Sequence, residues 1–316
     1  MQDLRNWQLL AICVGVWGTT WYAITFQLGQ TAPEVGVALR FGLAGAVVLA
    51  MCAWRALPLR FSAREHGLLA LQGALLYGVS YVCVYHAEQH VVSGLVAVGY
   101  SASPLAAGLG ARLLFGTRLT ARFVAGGTLG LAGVALIFWP EFGRAAGQSG
   151  AALGALFTLG AVLLSTVGSL AASRNRENRL PFWPALGFGM LYGAAISAAS
   201  ALAQGQGQSF ALPSVASWWA SLLYLALAGS VLAFACFLTL QQRLGVGPAG
   251  SVGVMTPLLA LVISTAFERF RPDALTFAGA GLAVLGNVLM LTRRPTPVVV
   301  VPAALPGARG SPRRDR

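Results

Sequence analysis

The sequence predicts an all-α membrane protein: ten transmembrane helices arranged as two inverted five-helix repeats. Three observations lead there. Of 316 residues, 57% are apolar and 9% are charged, against about 25% charged in an ordinary soluble domain. Ten apolar stretches divide the chain, and landmarks of the first half recur in the second at a constant offset of 153 residues. So few charges cannot clothe a water-facing surface. A membrane-crossing helix takes about 20 apolar residues, so ten of them leave no room for a sizeable soluble domain.

The apolar stretches fall at about 8–26, 35–54, 67–85, 92–114, 122–139, 150–172, 182–203, 216–240, 247–267 and 274–292, separated by Arg, Pro, Gly or Gln. The first follows Arg5 and carries Trp17, Trp21 and Tyr22. It is too long for a signal peptide and reads as a retained span. All 21 basic residues are Arg. With the N-terminus inside, seventeen of them lie in the tail and inner loops, three (Arg144, Arg269, Arg271) lie outside, and Arg40 falls within a span. This bias places both termini in the cytoplasm. It also accounts for the +12 net charge without a nucleic-acid partner, because the Arg residues punctuate apolar runs and build no basic domain. Cys13, Cys52, Cys83 and Cys236 sit singly inside apolar stretches. They form no CxxC pair, so no metal or other cofactor is expected.

In the repeat, Gly94, Pro104 and Ala107 align with Gly247, Pro257 and Ala260, and Gly126, Leu129, Gly133 and Leu136 with Gly279, Leu282, Gly286 and Leu289. Five spans per half is an odd number, so the second half enters the membrane from the opposite side. The units are 1–146 and 147–294, followed by a Pro- and Arg-rich segment, 295–316, read as a disordered cytoplasmic tail. Inverted repeats place a transport site between them near the midplane.

Candidate site residues follow from that placement. Pro104 and Pro257 fall inside the fourth and ninth stretches, beside Ser101, Ser103 and Thr256. Proline removes a helix hydrogen bond, so a repeat-related pair of bent helices marks a candidate site. Trp17, Tyr77, Tyr81, Tyr100 and Phe234 supply aromatic surface, with Tyr77, Tyr81 and Tyr85 on one helix face. Ser165 and Ser169 are one turn apart in the sixth stretch, suited to a polar path or to close packing. Arg40 is a charge within a span, and such a charge is a functional suspect. Its expected partner is Glu88 or Glu34. Two patterns mislead. HAEQH (86–90) lacks the H-E-x-x-H order of a zinc protease, which leaves Glu88 and His90 as charge-pair or proton-coupling candidates. GVGPAG (245–250) follows a helix end and no strand, so the dinucleotide reading fails.

Taken together, WGTTW (17–21), ALRF (38–41), SGLVAVGYSASPL (93–105), GTLGLAGVALI (127–137), YLALAGSVLAF (224–234) and RLGVGPAGSVGVMTPLLAL (243–261) give the chain its resemblance. It resembles the ten-span EamA-type transporters of the drug/metabolite transporter superfamily. The resemblance implies a bacterial inner-membrane carrier that exports an amino acid or similar small metabolite, with the lipid bilayer as its other partner. The family's Leu-Gly-Glu after the fourth and ninth spans is replaced by Phe115-Gly116-Thr117 in the first repeat. In the second, Glu268 stands two residues early, with Phe270 at the aligned place. A capping or gating role for that acid is therefore not carried over. No ATP-binding motif is visible, so the expected energy source is a gradient, with a proton as candidate coupling ion. The alternatives are an intramembrane enzyme, which needs an acid–base or nucleophile constellation within the spans, and a membrane receptor or structural protein, which has no need of inverted repeats.

Overall fold

The computed structural model describes residues 3–116, 119–144, 150–177, 180–206, 213–244 and 251–291. The expected tail, 295–316, and the GVGPAG segment lie outside them. Among the described residues all regular structure is helical. In chain order the rods are α1 (Asn6–Thr25), α2 (Pro33–Trp54), α3 (Ala63–Gly73, then a π-helical stretch Ala74–Val79, then Ser80–Glu88), and α4 (Ser93–Gly99, a 3-10 turn Tyr100–Ala102, then Ser103–Phe115). They continue as α5 (Ala121–Arg144), α6 (Gly150–Glu177), α7 (Phe182–Ala203), α8 (Ala216–Leu223, a π-helical stretch Tyr224–Leu232, then Ala233–Leu244), α9 (Ser251–Phe267) and α10 (Ala274–Leu291). Each of the ten apolar stretches carries one of these rods.

Local chemistry sets the ends. Pro33 opens α2, where the missing N–H costs nothing. Ser62 and Glu65 form a reciprocal capping box at α3: Ser62 N donates to Glu65 Oε2 at 2.7 Å, and Glu65 N to Ser62 Oγ at 3.3 Å. Gly116 closes α4 in the left-handed region, at φ 65°, a conformation in which a side chain is disfavoured. Asp273 Oδ1 accepts from Thr276 N at 2.8 Å and caps α10.

By length and composition seven helices can cross a bilayer, namely α1, α2, α3, α5, α6, α7 and α8. The apolar parts of α9 and α10 are shorter (Met255–Phe267 and Ala274–Met290), and α4 is divided by its 3-10 turn. The outer surface suits hydrocarbon. Leu153, Leu156, Leu159, Leu163 and Val167 form an exposed stripe along α6. Trp7, Trp54 and Trp139 are exposed near helix ends, at the level where Trp anchors to a membrane interface.

The packing repeats itself. α2 lies along α7, α5 along α10, and α4 against α9; α1 packs on α8 and α9, and α6 packs on α3 and α4. Moving every helix five places along the chain converts this pattern into itself. The α5/α10 crossing shows the same relation at the atomic level. A Cβ built on Gly133 would stand 2.5 Å from the Gly279 carbonyl oxygen, and one on Gly279 would stand 2.5 Å from that of Gly133. Gly126 and Gly286 meet in the same way, at 2.6 and 2.4 Å. Lipid offers helices no hydrophobic reason to associate, so contact depends on backbones approaching closely over small residues.

Gly133→Ala and Gly279→Ala are therefore expected each to cost about 1–3 kcal/mol. Gly281→Ala, on the same helix but with nothing within 4 Å of its built Cβ, is expected to be neutral. Thermal unfolding in detergent checks this, and the two crossing variants should combine non-additively, because they disturb one contact.

Candidate functional site

The two π-helical stretches stand at corresponding places in the two halves, and each admits an extra residue per turn that shifts the helix face. In α8, Ser230 Oγ donates to the Leu225 carbonyl five residues back, at 2.9 Å. The neighbouring Gly229 carbonyl accepts from Trp17 Nε1 at 3.0 Å. In α3 the stretch contains Tyr77, fully buried, with ring centroids 5.4 Å from Phe41 and 5.2 Å from Phe234. At the 153-residue offset Tyr77 corresponds to Ser230, and Tyr81 to Phe234.

Arg40 enters this interior from α2. It is 1% exposed. Its Nε donates to Ser230 Oγ at 3.1 Å. The guanidinium carbon lies 4.7 Å from the Tyr81 ring centroid and 5.1 Å from that of Phe41, an arrangement worth up to about 2 kcal/mol when desolvated. Nη1 is buried with no hydrogen-bond partner. Among the described residues no carboxylate lies within salt-bridge distance of Arg40. Glu88, one expected partner, is 7% exposed, and neither of its carboxyl oxygens has a hydrogen-bond partner. The charges of Arg40 and Glu268 act on it.

Around this charge lie the rings. Trp17 meets Phe234 and Phe237, each at 5.1 Å. Trp21 meets Tyr100 edge-on at 5.1 Å, and its own Nε1 is buried without a partner. The Tyr100 hydroxyl meets Ser165. Tyr81 and Tyr100 are themselves half-buried.

Thus Trp17, Tyr77, Tyr81, Tyr100, Phe234, Ser165 and Arg40 come together. The remaining candidates separate from them. Ser169 is exposed. Ser101 and Pro257 line a crevice of about 10 Å³ with Asn287, whose Nδ2 donates to the Ser101 carbonyl at 3.3 Å; this is room for at most one water. The Ser103 and Thr256 hydroxyls are buried without partners. The two prolines also behave differently from the symmetric pair of bends that their positions imply. Pro104 stands in the first turn of Ser103–Phe115, just after the 3-10 turn, where a helix needs no N–H from it. Pro257 lies within α9, which continues through it as a helix.

At the end of the bundle where α3 finishes, Glu34 pairs with His86 and leaves Arg40 alone: Glu34 Oε1 is 3.0 Å from His86 Nε2 and accepts from Gln204 Nε2 at 3.2 Å. His90 is exposed and stacks on Phe157, which His86 also covers, with centroids at 6.2 and 5.0 Å. It is not part of the charge cluster.

Two segments of the chain, 5–139 and 152–292, each match the EamA-like transporter family. The chain belongs to the EamA-like transporter family. It is 28% identical over 277 residues to the uncharacterized inner membrane transporter YedA of Escherichia coli strain K12, covering 87% of each chain, and equally similar to YedA of strain O157:H7. A crystal structure shares the fold, with a TM-score of 0.64 at 22% identity over 90% of this chain and 96% of that one.

Within this EamA-like transporter the displaced acid holds a helix start after all. Glu268, just beyond α9, accepts from Ser93 Oγ at 2.6 Å and from Ser93 N at 3.3 Å, and it also accepts from the Ser264 hydroxyl. Ser264 Oγ in turn accepts from Gly94 N at 2.8 Å. An anion at a helix N-terminus satisfies orphan N–H groups. The two-residue displacement hid this in the sequence, because the contact depends on where α9 ends relative to α4. Glu268→Ala is expected to speed amide exchange at Ser93 and Gly94 while leaving α7 unchanged. Hydrogen-exchange mass spectrometry on peptides covering 90–100 and 182–203 reads both.

Proposed function

We propose that the protein is a secondary transporter that carries a small metabolite, an amino acid or a similar solute, out across the bacterial inner membrane by alternating access. The observation that carries the reading is the group of Arg40, Tyr81, Tyr100 and Trp21, which gathers where helices of the two halves meet. Support also comes from the five-place symmetry of helix pairing, since inverted repeats that rock about a central site are the common architecture of such carriers. In this reading all ten rods cross the bilayer, residues 1–146 and 147–294 are the inverted repeats, and the Arg bias holds both termini in the cytoplasm.

Polar contacts near both ends of the bundle suit the two closures of an alternating cycle. At one end are the Glu34–His86–Gln204 group and the Glu268 contact with α4. Towards the other, Asn175 Nδ2 donates to Gln72 Oε1 at 2.8 Å between α6 and α3. Opening either end separates such groups and lets water replace their partners. A proton gradient is the proposed energy source, and Glu88, with its unpartnered buried oxygens, is the proposed carrier group.

Proteoliposomes loaded with a metabolite mixture are expected to lose a restricted set of solutes, faster with a proton gradient. Absence of any flux above empty liposomes counts against transport. Tyr81→Ala should weaken apparent solute affinity about tenfold, equivalent to about 1.4 kcal/mol, whereas Leu163→Ala on the exposed stripe should leave it unchanged. Accessibility reporters in 27–34 and 55–66 should report opposite sides of the membrane; the same side for both removes the inverted-repeat topology.

A further inference from the structure

Arg40 occupies a place for which the symmetric frame needs no side chain. At the 153-residue offset its counterpart is Gly193. A Cβ on Gly193 would stand 2.8 Å from that of Tyr77, and Arg40 meets Ser230, the counterpart of Tyr77, through the hydrogen bond already described. The same helix contact is thus built once with glycine and once with a buried guanidinium. Packing explains the glycine; it does not explain the charge.

The surroundings define what that charge can receive. Nε is committed to Ser230, and Gly229 lets Thr20 and the guanidinium pack closely, since a built Cβ there would stand 2.7 Å from Thr20 Cγ2 and 3.4 Å from Nη2. Nη1 is buried with no partner. The nearest neighbours of the guanidinium are the Tyr81 and Phe41 rings and the Tyr85 hydroxyl, and it acts electrostatically on the buried Glu88.

We propose that Arg40 Nη1 anchors the carboxylate of the transported solute, and that this solute is a monoanion or zwitterion with an apolar or aromatic body received by Tyr81, Tyr100 and Trp21. The assignment rests on the transporter reading and narrows its substrate class. Guanidinium presents planar N–H donors that match a carboxylate. A phosphate ester is a poorer fit, because Arg40 is the only buried Arg among the described residues. A simple cation is also a poor fit, because the Arg40 guanidinium would repel it. Ser230 is a positioning residue: it holds Nε, leaving Nη1 towards the rings.

The test uses purified full-length protein in detergent, with tryptophan fluorescence reporting binding of 3-phenylpropionate and of its neutral isostere 3-phenylpropionamide. The wild-type protein is expected to bind the carboxylate at least tenfold more tightly than the amide. Inorganic phosphate is expected not to compete. Arg40→Gln should bind both probes equally, at the affinity of the amide. Ser230→Ala, which keeps the charge but frees it, should reduce the preference without abolishing it. Equal binding of the two probes by the wild type overturns the proposal, as does retention of the preference in folded Arg40→Gln, or competition by phosphate. The wild-type comparison decides even where Arg40→Gln fails to fold. Flux in proteoliposomes separates the two levels. Movement of amines or sugars but no carboxylates overturns the Arg40 assignment and keeps transport. Carboxylate-selective binding without flux of any solute keeps the assignment and removes transport.

Discussion

The contact on which the architecture depends is backbone against backbone at the α5/α10 crossing. Gly126 faces Gly286 there, and Gly133 faces Gly279, at separations that leave no room for a methyl group. In water, burial of apolar area would hold two such helices together. In hydrocarbon that term vanishes, and dispersion between closely fitted surfaces has to serve instead. Glycine is a poor helix former in solution, costing about 1 kcal/mol relative to Ala. A bilayer enforces the helix anyway, because an unsatisfied backbone group within it costs far more. The 39 glycines are therefore compatible with long helices here. The same glycines, equivalent between the repeats and crossed in space, turn a sequence duplication into a self-complementary interface.

The frame is symmetric, but its chemistry is not. Tyr77 and Ser230 occupy equivalent π-helical stretches, and Tyr81 and Phe234 occupy equivalent turns. The first repeat then adds Arg40 where the second has Gly193. A duplicated scaffold supplies two matching walls, and a solute is asymmetric, so recognition has to arise from residues that differ between the walls. The π-helical stretch of α8 is part of this asymmetry. It places the Ser230 hydroxyl where it can donate to Leu225 and accept from Arg40 at once, and so the buried charge has a fixed partner on a helix from the other repeat.

The helices, the duplication and the aromatic grouping were legible because each rests on local pattern: apolar length, constant offset and four-residue spacing. Arg40 stood out for the same reason, as a charge within an apolar run. Its neighbours did not. Glu34 is six residues away in sequence, and Glu88 is the next acid among the spans, but neither touches it. Ser230, 190 residues away, does, and no periodicity marks one serine among many in apolar helices. The π-helical stretches were equally invisible, since they arise from packing and not from a residue type that forces them. The prolines misled in the opposite sense. Pro257 was conspicuous, but α9 continues through it as a helix, and the interruption in α4 lies before Pro104, at Tyr100–Ala102.

The Glu268 contact adds a consequence for the cycle. Its counterpart position in the first repeat is Phe115, and that of Ser264 is Ala111. A carboxylate clasp between the end of α9 and the start of α4 therefore has no chemical equivalent between the end of α4 and the start of α9. Charge-assisted hydrogen bonds of this kind are worth about 1.5–3 kcal/mol each, and a two-state carrier can be biased by no more than a few kcal/mol before one state becomes inaccessible. In the proposed cycle the clasp would favour that end closed by a comparable amount. Unclasping it requires a partner that competes for Ser93, Ser264 or the carboxylate itself. Under the proposed anchoring, an anion on Arg40 would alter the charge that meets Glu88, on which Arg40 and Glu268 both act.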